Sequence, residues 1–441
     1  SVIGPFVLGR ALEEATMTPM TPVNDDLVYV TGWPCPISSY DARSRGMLSP
    51  AEAIWDSRNP PFVRIALDLG VNTFYDYIKA LGLRDRTGVD LPYEQTGLIH
   101  QDLNELNMAV TAFGEQVTIT ALQMANDYVM LANGGTLLRP RLADALIDSK
   151  GEVAKEFKTE PIRQVLSEES CRSIRKMMVG VGRYGTGKRA YVPGVEAAYK
   201  TGTSSRALFG ADYDNYNTHT AVCLLPADEP KYVIYAAIHD VENQYLKAAQ
   251  VFVREVADYL AERDNIPREY KAYDYNFLFR RRYLDNVIGL SYTEGQRIIF
   301  HSGFVPVLSD SFSSGDLIAC QYPSPGLDSG YNSRIWLSDN AEDLPGRYVT
   351  LPDFTGLTAE EALREARRLE LNIAFEGTNR AGVITSQQVA EPELAGGSEA
   401  GDKVRIYSLI TLEFAGDDAP GPYADDSLTE GYDDGSGEIY W

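Results

Sequence analysis

A lysine followed by two hydroxyl residues lies near the middle of the chain, in the stretch Lys200-Thr201-Gly202-Thr203. Side chains two positions apart on a β-strand point the same way, so the hydroxyls of Thr201 and Thr203 would share one face. Gly202 has no side chain, and another backbone can therefore approach the strand closely. A cation, two hydroxyls and a bare backbone together favour binding of a peptide that ends in a carboxylate.

A second candidate group is Ser57-Arg58-Asn59. It follows a predicted helix start at Ser49, where Glu52 can complete a capping box. The hydroxyl of Ser57 can relay a proton, and the amide of Asn59 can hold a substrate carbonyl. The same residues could also form a polar helix end, and this stretch alone favours that interpretation.

The spacing of apolar residues predicts the elements that position these groups. Turn residues separate three apolar runs, which indicates an antiparallel meander beginning with the Lys200 strand, and amphipathic spacing indicates helices around it. The predicted helices are one starting near Ser1, Arg64 to Leu83, Thr120 to Asn133, Ser167 to Val181 and Tyr245 to Glu262, and the further strands are Thr218 to Leu225 and Lys231 to Ile238. The sequence therefore predicts an α+β domain over residues 1–267, with an antiparallel sheet covered by helices.

A glycine-rich loop at residues 182–193 precedes the Lys200 strand. Its Gly185-Thr186-Gly187-Lys188 looks like part of a phosphate-binding loop. The full Gly-x-x-x-x-Gly-Lys-Ser/Thr spacing is missing, however, and no clear strand comes before it. The sequence therefore argues against a nucleotide site here.

Composition and charge exclude several classes of function. The chain has 441 residues and a formal net charge of −23, which argues against binding to nucleic acid or to anionic lipid because the phosphates would be repelled. No apolar run approaches the length of a membrane helix, and no signal peptide is visible. Because the chain begins with Ser1, we expect a fragment or a processed product that has lost an upstream membrane anchor. The four cysteines lie far apart and lack metal-binding spacing.

After about residue 278 a pattern occurs twice. Val287-Ile288-Gly289-Leu290-Ser291 is echoed by Phe354-Thr355-Gly356-Leu357-Thr358, and in each copy a Glu three residues after the Ser or Thr predicts a capped helix start. Two tandem β-α-β-β modules are therefore predicted, a divergent one at 278–339 and a second at 347–412. The tail at 413–441 is acidic and rich in Gly, Asp, Pro and Ser, which predicts disorder.

Taken together, these motifs show that the chain resembles a class B penicillin-binding protein of the division and sporulation type, up to about residue 412. The motifs that carry the resemblance are Ser57-Arg58-Asn59-Pro60, Thr87-Gly88-Val89-Asp90-Leu91-Pro92, Phe113-Gly114, Thr118-Ile119-Thr120-Ala121-Leu122-Gln123, Ala132-Asn133-Gly134-Gly135, Pro140-Arg141 and Lys200-Thr201-Gly202-Thr203-Ser204. This family comprises peptidoglycan D,D-transpeptidases, and some members end in PASTA modules, which the two repeats resemble. The resemblance implies the penicillin-binding transpeptidase fold, cross-linking of stem peptides that end in D-Ala-D-Ala, and acylation by β-lactams.

The family's site residues can be placed on this chain motif by motif. In the family, the serine of Ser-x-x-Lys-Pro forms the acyl-enzyme, and Ser1 matches that serine. Ser57 matches the proton-relay serine, and Asn59 matches the amide that holds the substrate. The residues that match the strand gripping the substrate carboxylate and backbone are Lys200, Thr201, Gly202 and Thr203. The resemblance implies no metal and no organic cofactor.

The chain departs from the family at one position, because Gly4 stands where the motif has its lysine. A serine hydroxyl is a poor nucleophile without an adjacent base, and losing a general base typically costs about 10²–10⁴-fold in rate. Lys200 acting through Ser57 is one substitute proton route, and the α-amino group of Ser1 is another.

Three functions are compatible with these residues. The first is a D,D-transpeptidase of cell-wall synthesis during division or sporulation, on the extracytoplasmic face of the membrane, with division or sporulation proteins as further partners. The second is a catalytically impaired scaffold that binds cell-wall material or division proteins, which Gly4 favours. The third is a D,D-carboxypeptidase, with water as the acyl acceptor, which the pair of PASTA-like modules disfavours.

Overall fold

Two structural units make up the chain, and each is described by itself. The first contains Ser1–Pro267 and Asp433–Trp441, and the second contains Arg268–Tyr432. The computed structural model describes residues 2–100, 102–205, 217–241, 247–312, 316–330, 332–377 and 379–415, and the short paired strands at 432–433 and 439–440. Among these described residues, no helix is both long enough and apolar enough to cross a membrane.

The first unit contains successive helices and successive strands along the chain. Its elements in chain order are α1 (Gly4–Glu13), β1 (Val23–Asn24), β2 (Met47–Leu48), α2 (Pro50–Trp55), α3 (Asn59–Leu69), α4 (Val71–Ala80), α5 (Glu105–Phe113), α6 (Ala121–Ala132), β3 (Thr136–Arg139), β4 (Ala145–Ile147), β5 (Val153–Glu156), β6 (Glu160–Gln164), α7 (Glu168–Arg183), β7 (Ala198–Ser205), β8 (Asn217–Leu225), β9 (Tyr232–Val241) and α8 (Ala248–Arg263).

The chain between Asn59 and Ala80 forms two helices, so the single helix predicted from residue 64 to residue 83 is wrong. Gly70 separates α3 from α4 with a φ of 78°. Glycine adopts this left-handed region without steric cost, and the apolar spacing on its two sides conceals the break. Helix α3 also begins before the predicted start, with Pro60 in its first turn, where a proline fits.

Strands β7, β8 and β9 form the antiparallel sheet that carries Lys200, as predicted. Lys200 pairs with Val222, and Thr203 pairs with His219. No other described strand pairs with β7, so within the described residues this strand forms an edge of the sheet. Helix α7 packs on β7, α6 packs on β9, and α8 packs on β8 and β9. Helices therefore cover the sheet that contains the Lys200 strand, and none of the described strands pairs with the other edge of β7.

Helix α1 is buried against the rest of the first unit. Phe6 is fully buried and packs edge-on against Tyr128 of α6, with ring centroids 4.9 Å apart. The Tyr128 hydroxyl donates a hydrogen bond to the carbonyl oxygen of Val2 at 2.7 Å. These contacts fix the start of α1, next to the sequence motif that runs from Ser1 to Gly4.

The second unit contains two successive sets of elements. The first set is α9 (Ala272–Leu278), β10 (Arg281–Tyr283), α10 (Tyr292–His301), β11 (Val305–Leu308), β12 (Cys320–Tyr322), β13 (Asp328–Gly330) and β14 (Arg334–Ser338). The second set is β15 (Tyr348–Thr350), α11 (Ala359–Leu369), β16 (Asn372–Glu376), β17 (Ile384–Val389), α12 (Pro392–Ala395), β18 (Lys403–Arg405) and β19 (Leu409–Phe414).

The two sets share one pairing scheme and pack against each other. A three-stranded sheet has the order β11-β14-β12 in the first set and β16-β19-β17 in the second. Asn372 joins them, because its side-chain amide donates to the carbonyl oxygens of Arg334 at 2.9 Å and Tyr407 at 2.7 Å. The hydroxyls of Tyr322 and Ser408 lie 2.6 Å apart in the same region. The two sets therefore form one folded body.

One buried carboxyl group of the first unit has no hydrogen-bond partner in the part of the chain that the structure describes. Asp127 of α6 is 1% exposed, and neither of its carboxyl oxygens has a partner among the described residues. Burial raises the pKa of Asp127 well above its ordinary value of 3.8. The folded unit therefore favours the neutral acid, because the charged form would lose its hydration without compensation.

We predict that the wild-type protein loses stability relative to Asp127→Asn as the pH rises. A carboxyl whose pKa is raised by folding stabilises the folded state fully below its unfolded pKa, and this contribution is lost as the pH rises through the folded pKa. Within that window each pH unit costs the wild type about 1.4 kcal/mol. Urea unfolding of both proteins from about pH 4 upward measures the difference. A difference that does not change with pH would contradict the prediction.

Candidate active site

Lys200 and Ser57 meet in the first unit, although 143 positions separate them in the sequence. The Lys200 side chain is fully buried. Its Nζ atom lies 2.7 Å from Ser57 Oγ and donates to the carbonyl oxygen of Thr201, also at 2.7 Å. The pair that the sequence motifs suggested is thus in direct hydrogen-bond contact.

Burial changes the protonation of this lysine. It lowers the pKa of Lys200 from 10.5 to about 7, because a buried ammonium group loses its hydration. Near neutral pH a substantial share of Lys200 is therefore an uncharged amine. Such an amine can keep its hydrogen bond to the Thr201 carbonyl and use its lone pair to accept the Ser57 hydroxyl proton.

Ser57 itself adopts a conformation that non-glycine residues rarely take. It lies between α2 and α3 with a φ of 54°, in the left-handed region. A residue with a side chain pays about 1–2 kcal/mol there. Contacts from the surrounding chain must therefore hold Ser57 in place, and the next residue supplies them.

The Arg58 side chain is completely buried and clamps the loop before α3. Its guanidinium forms ion pairs with Asp25 at 2.8 Å and with Asp41 at 2.9 Å, and also donates to the carbonyl oxygen of Arg43. Burial alone would lower the pKa of Arg58, but its hydrogen bonds to Asp41 and Asp25 raise it above the ordinary value. The guanidinium thus stays charged and ties the segment after β1 to the Ser57 loop.

A further carboxyl group lies directly before Ser57. Burial raises the pKa of Asp56 to about 6, and the positive charges of Arg45 and Arg58 moderate that rise. Asp56 therefore titrates close to neutrality. At Asp41 burial also raises the pKa, but the hydrogen bonds from Arg58 and from the Arg43 backbone N–H, together with the charges of Arg58 and Arg45, hold it below its usual range.

Asn59 is fixed by the same loop that contains Asp41. Its side-chain amide donates to the Ser38 carbonyl oxygen at 3.0 Å, and its backbone N–H donates to the Ser39 hydroxyl at 3.1 Å. Ser39 in turn donates to Asp25 at 3.4 Å. These hydrogen bonds thus fix Asn59, which is the first residue of α3 and directly follows Arg58.

The predicted carboxylate-binding residues follow Lys200 along β7. Thr201 is buried, and its hydroxyl lies 2.6 Å from the hydroxyl of Thr186. The carbonyl oxygen of Gly202 accepts a hydrogen bond from Thr220 at 3.2 Å. Thr203 is exposed. Of the two hydroxyls that were expected on one face, that of Thr201 is therefore bonded inside the protein, whereas Thr203 is exposed to solvent.

The space beside Gly4, where the family motif has its lysine, is occupied by the ring of Phe62 from helix α3. Gly4 is buried at the start of α1, and a Cβ atom built there would lie 3.0–3.2 Å from ring atoms of Phe62. Phe62 is itself 3% exposed, so its ring has little room to move. A lysine at position 4 would have to displace this ring. Ser1, the predicted nucleophile, lies outside the residues that the structure describes.

Sequence reasoning missed two residues of this site, Arg58 and Thr186. The motif Ser57-Arg58-Asn59 assigns no role to Arg58, yet it is the residue that anchors the loop. Its neighbours Asp56, Ser57 and Asn59 are all polar, so the local sequence carried no signal that the Arg58 side chain is buried. Thr186 lies in a loop that the sequence only excluded as a nucleotide site, and no signal linked it to Thr201.

The geometry of the first unit agrees with a known family. The sequence profile of the penicillin binding protein transpeptidase domain matches residues 1–258. The chain belongs to this family. The resemblance inferred from the ordered motifs is thereby confirmed, and so is the mixed helix-and-sheet fold of the first unit.

Curated relatives support the same assignment. The chain is 30% identical over 312 residues to Stage V sporulation protein D of Bacillus subtilis (strain 168), covering 67% of this chain and 47% of that protein. It is 27% identical over 243 residues to the probable peptidoglycan D,D-transpeptidase PenA of Neisseria gonorrhoeae, covering 54% of this chain and 39% of that protein. The chain thus spans about half or less of the length of these relatives.

Solved structures show the same fold. Penicillin-binding protein 3 of Mycobacterium tuberculosis, complexed with aztreonam, is 25% identical with a TM-score of 0.55, covering 61% of this chain and 63% of that chain. Penicillin-binding protein 2X of Streptococcus thermophilus is 18% identical with a TM-score of 0.53, covering 94% of this chain and 60% of that chain. The latter likeness concerns the fold alone.

We predict that Arg58→Met destabilises the first unit by about 3–5 kcal/mol, because it leaves the Asp25 and Asp41 carboxylates buried without their partner. Exchanging both carboxylates for amides in the Arg58→Met protein should recover part of the loss. Arg172→Met, which removes an exposed pair with Glu168, is the control and should cost at most about 1 kcal/mol. Denaturant unfolding measures all three. If Arg58→Met lowers the free energy of unfolding no more than Arg172→Met does, the buried ion pairs of Arg58 do not stabilise the loop.

We predict that Gly4→Ala destabilises the protein by about 1–3 kcal/mol, because the added methyl group presses on the Phe62 ring. Combined with Phe62→Leu, the same change should cost less than the sum of the two single changes, since the smaller side chain leaves room. Unfolding free energies of the two single variants and the double variant give this coupling. Strict additivity would show that the two positions do not compete for space.

Proposed function

We propose that this chain is the transpeptidase part of an enzyme that cross-links peptidoglycan through a serine acyl-enzyme. In the forward reaction, Ser1 Oγ attacks the carbonyl between the two terminal D-alanines and releases the last D-alanine. The amine of a second stem peptide then takes the acyl group and frees Ser1. A β-lactam would acylate the same serine. The contact between Lys200 and Ser57 is the observation that carries this proposal.

The proton route follows from that contact. Without a lysine at position 4, the Ser1 proton needs another acceptor. Ser57 takes it while passing its own proton to the uncharged amine of Lys200, 2.7 Å away. When the leaving group departs, the route runs in reverse and protonates it. Lys200 thus does the work of the general base that Gly4 cannot do.

The other site residues bind the substrate in this proposal. The carboxylate of the terminal D-alanine lies against β7, with Thr203 and Thr201 as hydroxyl donors and Gly202 giving its backbone room. The Asn59 amide holds the substrate carbonyl. Lys200 also adds positive charge whenever it is protonated, which favours an anionic ligand.

A specific observation favours a second function, a binding protein without turnover. Gly4 and the buried Phe62 ring together close the space where the family's lysine lies. If Lys200 fails as a base, the fold would still bind stem peptides and could act as a scaffold for division or sporulation proteins.

We further propose that the second unit is a pair of PASTA-like modules, residues 278–339 and 347–412, that contacts cell-wall material or protein partners. The shared strand order of its two sets supports this. The proposed reaction places both units on the extracytoplasmic face of the membrane, since peptidoglycan is the substrate. The tail at residues 413–441 is predicted to be disordered, and most of it lies outside the described residues. Its first two residues, Glu413 and Phe414, instead form the end of strand β19.

We predict that a fluorescent penicillin labels the wild-type protein on Ser1, as read by mass mapping of the labelled peptide. Ser1→Ala should abolish the label, because the nucleophile is gone. Ser57→Ala and Lys200→Met should each slow labelling by about 10²–10⁴-fold, because the proton route is cut.

Lys176→Met is the matched control, since Lys176 is an exposed lysine of α7, and it should label at the wild-type rate. Labelling of Lys200→Met at the wild-type rate would refute Lys200 as the base. Absence of label on the wild type at high probe concentration would refute the acyl-enzyme and favour the scaffold.

A further inference from the structure

The start of helix α3 has few backbone donors that need a partner. A helix leaves its first four N–H groups without partners inside the helix. At α3 these positions are four successive residues, Arg58, Asn59, Pro60 and Pro61. The two prolines have no N–H group, and the N–H of Arg58 donates to the carbonyl oxygen of Ala53 at 3.0 Å. Of the four positions, Asn59 alone therefore needs a hydrogen-bond acceptor from a distant part of the chain.

Ser39 supplies that acceptor from a loop 20 residues earlier in the chain. Its hydroxyl oxygen accepts the hydrogen bond of the Asn59 backbone N–H at 3.1 Å. A helix is usually capped by the side chain of its own N-cap residue. At α3 that residue is Arg58, which makes no capping hydrogen bond because its side chain forms the ion pairs with Asp25 and Asp41. Ser39 thus caps α3 in place of Arg58.

The hydrogen bonds of the Ser39 hydroxyl have a fixed direction. Ser39 is 5% exposed, and its hydroxyl makes a long hydrogen bond of 3.4 Å to Oδ1 of Asp25. The Arg58 guanidinium and the Arg45 backbone N–H both donate to the other oxygen of this carboxylate, Oδ2. A carboxylate only accepts, so the Ser39 proton points to Asp25 and its oxygen lone pair receives the Asn59 N–H. Both hydrogen bonds of Ser39 can therefore form at once.

The residue before Ser39 orients the side chain of Asn59. The carbonyl oxygen of Ser38 lies 3.0 Å from the Asn59 Nδ2 atom. A carbonyl oxygen only accepts, so the NH₂ group of the amide, and not its oxygen, must lie on this side. The amide has two N–H groups, and this contact uses one of them. Within the described part of the chain the second N–H has no hydrogen-bond partner, and it is therefore available to a ligand.

One peptide group connects these contacts. The Ser38 carbonyl and the Ser39 backbone nitrogen belong to the same planar unit, so they move together. The Ser39 hydroxyl anchors this unit to Asp25 and to the start of α3. If the hydroxyl is removed, the Ser38 carbonyl loses that anchor and no longer fixes the Asn59 amide. A rotation of the amide by 180° would then present an oxygen where the bound state needs an N–H.

We propose that Ser39 is a positioning residue for substrate binding, which fixes the Asn59 amide so that its second N–H is available to a carbonyl group of the substrate. This rests on the proposed function, because it assumes that Asn59 contacts the substrate. Ser39 does not touch the substrate itself, since it is buried and its proton is used by Asp25. An amide that is held in one orientation before binding loses less conformational freedom on binding, so Ser39 raises the affinity through Asn59.

The test uses the full chain carrying Ser1→Ala, which makes penicillin binding reversible and independent of acyl transfer. Calorimetry measures the dissociation constant of benzylpenicillin for this parent, for Ser39→Ala, for Asn59→Ala and for the variant with both changes. Ser39→Ala should weaken binding about 3–10-fold, the usual worth of one hydrogen bond. In the Asn59→Ala protein the same change should have little further effect, because no amide is left to orient.

Ser44→Ala is the matched control, because exposed Ser44 makes the same two kinds of contact in the same segment. Its hydroxyl accepts from the Gly46 backbone N–H at 3.0 Å and donates to Asp26 at 2.5 Å. This variant should bind benzylpenicillin as the parent does. If Ser39→Ala does not fold, Ser39→Cys takes its place, because a thiol nearly keeps the shape of the side chain but is only a weak donor. It should weaken binding in the same direction.

Equal weakening by Ser39→Ala with and without the Asn59 amide would assign Ser39 a structural role only and overturn the proposal. An unchanged affinity of Ser39→Ala, or of Asn59→Ala, would also overturn it. A parent protein that does not bind benzylpenicillin would overturn the binding site itself. If the parent binds benzylpenicillin with the expected pattern among the variants but the wild type is never acylated, the proposed reaction is refuted and the role of Ser39 stands.

Discussion

The contact between a buried lysine and a serine hydroxyl determines how this site can work. Lys200 is fully enclosed, and burial lowers the pKa of its ammonium group to about 7. Its hydrogen-bond partners are both fixed by the fold, since Thr201 is on the same strand and Ser57 is on a strained loop. In a family whose members carry a lysine three residues after the nucleophile, this chain has Gly4. A second lysine that is partly uncharged at neutral pH offers a physical route to the same reaction.

The rest of the first unit can be understood as support for that contact. The left-handed conformation of Ser57 is unfavourable by itself, and the buried ion pairs of Arg58 with Asp25 and Asp41 hold the loop that carries it. On the other side, Thr186 ties the chain just before Ser57 to strand β7. The ion pairs of Arg58 and the hydrogen bonds of Thr186 thus lie on either side of Ser57 along the chain and fix the loop that contains it. Neither contributes the reacting atoms, but both set the distance between Ser57 and Lys200.

Local patterns in the sequence predicted the parts of this arrangement that depend on neighbours along the chain. The capped start of α2 follows from its capping-box residues, and the strand around Lys200 and the meander that begins with it follow from turn residues and apolar spacing. The break at Gly70 was missed because the apolar stripe continues across it. The motif match placed Ser57 and Lys200 together, but their distance, the burial of Arg58 and the packing of Phe62 on Gly4 could not be predicted. Each of these depends on contacts between residues that are remote in sequence, and the sequence contains no pattern that records them.

Direct titration of Lys200 tests the central claim most directly. Nitrogen-15 NMR of lysine side chains, assigned by comparison with Lys200→Met, follows the protonation of this one amine in the intact chain. A midpoint near pH 7 would show that the buried amine is available as a base at neutral pH. A Lys200 that stays charged up to about pH 10, like an exposed lysine, would contradict the account, because Ser57 would then have no base to accept its proton.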